Sequence, residues 1–205
     1  KGINDENIIT LAPEDIEIID GVKIEAIHAY NIDKPFHPKE KNWLGYIIEI
    51  DGVRYYIAGD TDITRENKKV KCDVAFVPVG GTYTMNFKEA ALEVNYWCAE
   101  EATYHCTDDR TLSAVSVYRR GNGRCGEESV FTVNALRSVG VPARQVYAPK
   151  WSHCDDNHAW VEIWCDGSWY FLGACEPEEI LDLGWFVNAS SRSMMINSRI
   201  FGSQQ

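Results

Sequence analysis

The chain has no C-x-x-C pair, no excess of basic residues and no apolar run of membrane-spanning length. Without paired cysteines a zinc ribbon is unsupported, and seven cysteines leave at least one thiol free in a monomer. The net charge of −11 is spread over both halves, which excludes the basic footprint that a nucleic-acid partner requires. The short apolar runs argue against a membrane partner. There is no internal repeat, no low-complexity stretch and no proline-rich linker. The first residue is Lys1, not Met, which leaves room for a trimmed leader or upstream sequence.

What is there reads as globular, with 45% hydrophobic and 12% aromatic residues. Residues 1–95 have a strand-rich grammar. Val22 to Ala26 is a short apolar strand, and Tyr46 to Ile50 and Arg54 to Ala58 flank the hairpin signal Asp51-Gly52. Val74 to Val79 is a further strand, and a helix starts near Lys88. Residues 96–205 read differently. A helix is expected over Tyr96 to Thr107, broken at Asp108-Asp109-Arg110, with a glycine-punctuated loop from Arg119 to Gly126. Helical spacing follows from Glu127 to Val139, with Gly140 as the stop. Strands are expected at Ala143 to Ala148 and His158 to Cys165, and Asp166-Gly167 turns the chain into Trp169 to Leu172.

Gly123-Arg124-Cys125-Gly126-Glu127 sets a cysteine where a loop enters a helix. Free backbone N–H groups and the positive end of the helix dipole favour thiolate there, and thiolate is the nucleophile. The flanking glycines let a carbonyl and backbone amides approach closely. His158 opens an alternating strand and is the candidate general base.

The run GRCGEESVFTVNALRSVGVPAR, followed by DNHAWVEIWCDGSWYFLGACEP, resembles the transglutaminase-like superfamily, including its peptide N-glycanase branch. The resemblance implies a papain-like helix plus antiparallel sheet, with Cys125 as nucleophile and His158 as the catalytic histidine. Its triad closes with an Asp four residues after a tryptophan, where this chain has Gly173. Glu176 is the nearest carboxylate. By strand alternation Gly173 and Cys175 share the His158 side and Glu176 does not, so Glu176 reaches the histidine only through a strand break. Asp156, a backbone carbonyl or no acid at all are the alternatives.

In the first half, GYIIEIDGVRYYIAGDTD and DVAFVPVGGTYTM resemble the metallo-β-lactamase superfamily. The resemblance implies a metal ligand at Asp60 and, more loosely, at His37. The family's H-x-H-x-D-H motif is expected upstream of Lys1, and its last ligand histidine beyond the helix near Lys88. Two ligands are too few for a metal, so the expectation is no cofactor, with zinc entering only if missing ligands complete the site.

These readings predict an α+β chain with a partial metallo-β-lactamase-type β-rich α/β segment over 1–95 and a transglutaminase-like domain over 96–205. The abrupt join suggests a truncated or composite chain. The expected activity is thiol-dependent hydrolysis or acyl transfer at an amide bond of a peptide or protein substrate. Catalytic residues are Cys125, His158 and Glu176. The rivals are a metal-dependent hydrolase and a non-catalytic binding module.

Overall fold

The structure is a computed structural model that describes residues 3–81, 84–106 and 111–199. The protein is mixed α+β and divides into two compact units, Lys1–Asn86 and Phe87–Gln205.

In the first unit, β1 (Ile16–Ile19), β2 (Val22–His28), β3 (Leu44–Ile50), β4 (Val53–Ile57) and β5 (Val74–Phe76) form one sheet in sequence order. All neighbours are antiparallel except β4 and β5, which are parallel. Asp51 and Gly52 both have positive φ, the conformation a two-residue turn needs to follow the strand twist. The same Asp-Gly signal at Asp20-Gly21 joins β1 to β2, a strand that the sequence reading misses. Ile47, Tyr56 and Ala58 form a buried core, against which Ile27, Val70, Cys72 and Val77 pack.

The second unit begins with α1 (Phe87–Glu101), followed by the two-residue strand β6 (Thr103–Tyr104), α2 (Ala114–Arg120), β7 (Asn122–Gly123) and α3 (Cys125–Ser138). Then come β8 (Ala143–Ala148), β9 (His158–Cys165), β10 (Ser168–Leu172), α4 (Val187–Ser190) and β11 (Asn197–Arg199). The antiparallel sheet runs β10-β9-β8-β11, and β6 pairs with β7. Its hairpin register is the expected one, with Trp164 opposite Trp169. The buried core holds Val146, Trp151, Trp160 and Phe186. A second cluster of Cys98, Ala102, Val117 and Phe131 ties α1 to α2 and α3.

Three local readings differ from the structure. A boundary at 95 falls inside α1, which packs as part of the second unit: Lys88 reaches Asp166 at 3.6 Å and Asn95 bonds to Gly173 and Cys175. The helix expected to run to Thr107 ends at Glu101, because Thr103–Tyr104 takes up strand pairing with Asn122–Gly123. The loop expected from Arg119 is helical at both ends, in α2 and α3. The breaker Asp108-Asp109-Arg110 lies outside the described residues.

Candidate active site

Cys125 is the first residue of α3. The helix start is fixed by Glu127, whose Oε2 accepts the Arg124 N–H at 2.8 Å and whose Oε1 meets Arg124 Nη2 at 3.2 Å. A Cβ at Gly123 would lie 3.0 Å from Glu127 Cβ, so the glycine lets the carboxylate fold back under the helix. Gln145 on β8 donates to Gly126 O at 2.8 Å and bonds Ser129 Oγ at 2.7 Å, which pins the first turn to the sheet. His158 opens β9 opposite Ala148. Helix start and strand start are therefore held by one set of β8 contacts.

Cys125 and His158 open into a cleft of about 280 Å³ that Glu176 and Trp185 also line. Tyr104, Asp156 and Asn157 complete the lining. At Gly126 a Cβ would meet nothing within 4 Å, so the space beside the nucleophile is open.

The electrostatics correct one expectation. Backbone N–H groups of Ala159 and Gly126 favour the Cys125 thiolate, but burial outweighs them and pushes the thiol up, with Glu128 and Glu176 adding to the rise. His158 is only 5% exposed. It sits among Trp185, Phe186, Trp160 and Trp151, with ring centroids at 4.6, 5.0, 6.1 and 6.2 Å. Burial lowers its pKa to about 4, against a smaller opposing effect of Asp156. At neutral pH the resting pair is thus thiol and neutral imidazole.

The strand break that Glu176 requires is present. The β9–β10 ladder stops at Leu172, Cys175 takes φ +54°, and Gly173 and Glu176 form an isolated antiparallel bridge. The turn brings the Glu176 carboxylate into the cleft, where Oε2 accepts the Trp185 indole N–H at 3.0 Å. It does not bring Glu176 to His158: among the described residues, His158 Nε2 is buried and has no hydrogen-bond partner. Burial raises the Glu176 pKa, and the Trp185 bond opposes that rise. Asp156 is the carboxylate that acts on His158, while its Oδ1 accepts the Asn157 N–H at 2.7 Å.

Trp185, Tyr104 and Glu128 are site residues that sequence reasoning missed. Glu128 is 3% exposed and one helical turn beyond Cys125. Burial first, then Glu176 and Glu127, raise its pKa to about 8. Its i+3 spacing from the cysteine is a signal that was available. For Trp185 and Tyr104, which lie outside the paired motifs, there was none.

In the first unit, Asp60 follows β4. Buried Thr61 Oγ1 accepts the Tyr30 N–H at 3.2 Å, and Asp62 Oδ2 accepts the Ile32 N–H at 2.8 Å while pairing with Lys34, so the loop is anchored directly after an exposed Asp60 carboxylate. His37 Nε2 lies 3.4 Å from Asp60 Oδ2, and the two predicted ligands are neighbours.

Residues 78–174 match the family model of the transglutaminase-like superfamily, and residues 3–96 match that of the beta-lactamase superfamily domain. Both matches include residues 78–96. A metal-dependent hydrolase from Thermococcus onnurineus is 38% identical over 81 residues, 37% of this chain and 36% of that protein. A solved structure from Parabacteroides distasonis is 41% identical, with a TM-score of 0.37, over 40% of this chain and 39% of the other. LapG of Legionella pneumophila is 22% identical, with a TM-score of 0.38, over 50% of this chain and 57% of the other. The chain spans about a third of the length of the Thermococcus relative.

These matches overturn the expectation of no cofactor. The beta-lactamase superfamily match and the curated relatives named metal-dependent hydrolases point to a metal cofactor. His37 and Asp60 are donor types that suit zinc. They do not by themselves fit a resident metal, because the described residues contain no group of three or more His, Cys, Asp or Glu placed to hold one. Among the described residues, no helix is long and apolar enough to cross a membrane.

Proposed function

We propose that the second unit performs thiol-dependent hydrolysis or acyl transfer at an amide bond of a peptide or protein. One observation carries this reading: the Cys125 thiol, at a helix start, and the His158 imidazole, at a strand start, open into the same cleft. Cys125 Sγ attacks the amide carbonyl carbon, and its proton passes to neutral His158. The carbonyl oxygen becomes an oxyanion facing free N–H groups at the start of α3. His158 then gives the proton to the leaving amine, and water or a second amine releases the acyl group from sulfur. At pH 7 the imidazole is unprotonated and can accept the proton, though burial makes it a weaker base than a free histidine. Glu176 enters as a positioning residue: it holds Trp185, and Trp185 lies against His158.

The test is chemical. An electrophilic peptide amide analogue should form one adduct, at Cys125, and His158→Ala should slow its formation at least about tenfold. Uniform labelling of all accessible thiols, indifferent to His158, would favour a binding module instead.

A second reading, metal-dependent hydrolysis in the first unit, follows the relatives named metal-dependent hydrolases and needs ligands beyond His37 and Asp60. It requires bound divalent metal in the purified chain that is lost in Asp60→Asn. Elemental analysis of both proteins decides it.

A further inference from the structure

The cleft around Cys125 is acidic in a way that the thiol chemistry does not call for. Two carboxylates line it, Asp156 and Glu176, and no Lys or Arg does so among the described residues. Nearby cations are engaged elsewhere: Arg124 pairs with Glu127 at 3.2 Å and Lys150 with Asp155 at 3.1 Å. Glu176 uses Oε2 for the Trp185 indole, which leaves Oε1 for a ligand. Tyr104 and Trp185, each 62% exposed, add two large aromatic surfaces to the same opening. His158 belongs to the same lining, is 5% exposed, and its Nε2 has no hydrogen-bond partner among the described residues.

Carboxylates beside exposed aromatic faces select cations, through charge-assisted hydrogen bonds and cation–π attraction. A neutral group would leave the carboxylates unanswered, and an anionic one would meet two like charges. We propose that the cleft takes a substrate bearing an ammonium or guanidinium group beside the amide bond that Cys125 attacks. The inference rests on the thiol reading above and names its substrate class. The cation is a recognition element and not an acyl acceptor, so guanidinium serves as well as ammonium. Its arrival also has a chemical effect. It offsets the negative charge that Glu176 places on Cys125, and so favours thiolate when substrate is bound.

The experiment uses the full chain and three methanethiosulfonates of similar size, with ammonium, neutral and sulfonate tails. In each, the thiolate attacks the sulfenyl sulfur and a sulfinate leaves, so only the tail charge differs. Modification of Cys125 is followed by peptide mapping, with N-acetylcysteine amide as the reference thiol. The ammonium-to-sulfonate rate ratio at Cys125 should exceed that of the reference by about tenfold or more. It should fall towards the reference in Asp156→Asn and further in Asp156→Asn/Glu176→Gln. Asp156→Asn changes one cleft-side carboxylate alone, and near-UV circular dichroism checks that each variant is folded. A ratio equal to the reference, or one unmoved by both variants, overturns the inference. The neutral reagent separates the two readings. If its rate at Cys125 is indifferent to His158→Ala, the thiol reading fails, while the charge ratio still reports on the cation site.

Discussion

Glu176 occupies the space that a side chain at Gly173 would need. A Cβ at Gly173 would lie 2.8 Å from both Cβ and Oε2 of Glu176 and 3.2 Å from its carbonyl oxygen. The position where the superfamily pattern calls for an acid is thus emptied, and a carboxylate three residues on fills it from the side. That carboxylate arrives turned towards Trp185 instead of His158.

The first prediction exchanges the two. Gly173→Asp alone should destabilise the second unit by about 1–3 kcal/mol, because the new side chain is forced against Glu176. Gly173→Asp/Glu176→Gly should recover most of that loss. Urea unfolding of the single and double variants measures it, and simple additivity of the two substitutions would contradict the shared-space account.

The second concerns the clamp beneath the turn. Buried Asn95 donates to Gly173 O at 2.7 Å and accepts the Cys175 N–H at 3.0 Å. Asn95→Ala leaves both backbone groups without their partner, at a cost of about 2–3 kcal/mol. Asn95→Asp keeps the acceptor but sets a second acceptor against the Gly173 oxygen in a buried site, so it should cost at least as much as Asn95→Ala. The midpoint of thermal unfolding ranks the three proteins.

The third is a pH dependence. Glu128 is raised from 4.5 to about 8 in the folded chain, so the folded state holds a proton that the unfolded state has lost. Its contribution makes stability fall as pH rises through that window. His158, lowered from 6.5 to about 4, acts oppositely, and its contribution makes stability fall as pH drops from 6.5 to 4. The two slopes oppose one another between pH 4.5 and 6.5, and Glu128 acts alone up to 8. Glu176, also raised, pulls in the direction of Glu128. Glu128→Gln should therefore remove much of the stability loss between pH 6.5 and 8, as read from denaturation midpoints at a series of pH values.

The fourth tests the aromatic box directly. NMR titration of the His158 ring should give a midpoint near pH 4 in the native chain. Trp185→Ala admits water to the imidazole and should move that midpoint up towards 6.5. An unmoved midpoint would show that Trp185 does not keep the ring dry.

Much of this was legible from residue pattern. Asp51-Gly52 and Asp166-Gly167 announce their hairpins because two residues with positive φ suit few other pairs. The strands at 143–148 and 158–165 follow from alternation, and Cys125 at a helix entry follows from its glycine-flanked setting. Asp20-Gly21 carries the same signal, but β1 is largely exposed and has no buried stripe to set beside it. The sign of the Cys125 shift was not legible. Helix-end dipoles are readable from neighbours in sequence, whereas burial depends on what tertiary packing sets around the sulfur, Ala159 of β9 and Glu176 among it. The partner of Glu176 was hidden for a similar reason, because Trp185 lies beyond the motif and returns to it only through tertiary packing.

Asn95 has one more consequence, and it is mechanical. The residue sits in α1, the helix with which the second unit begins, and its side chain is bonded to the turn that carries Glu176. Asn95 thus joins the first helix of the unit to that turn through two hydrogen bonds, while Cys98, packed on Phe131, joins the same helix to the nucleophile helix. The acid of the cleft and the nucleophile are in this sense braced by one helix, the first of their unit, which holds the turn of Glu176 by hydrogen bonds and the helix of Cys125 by packing.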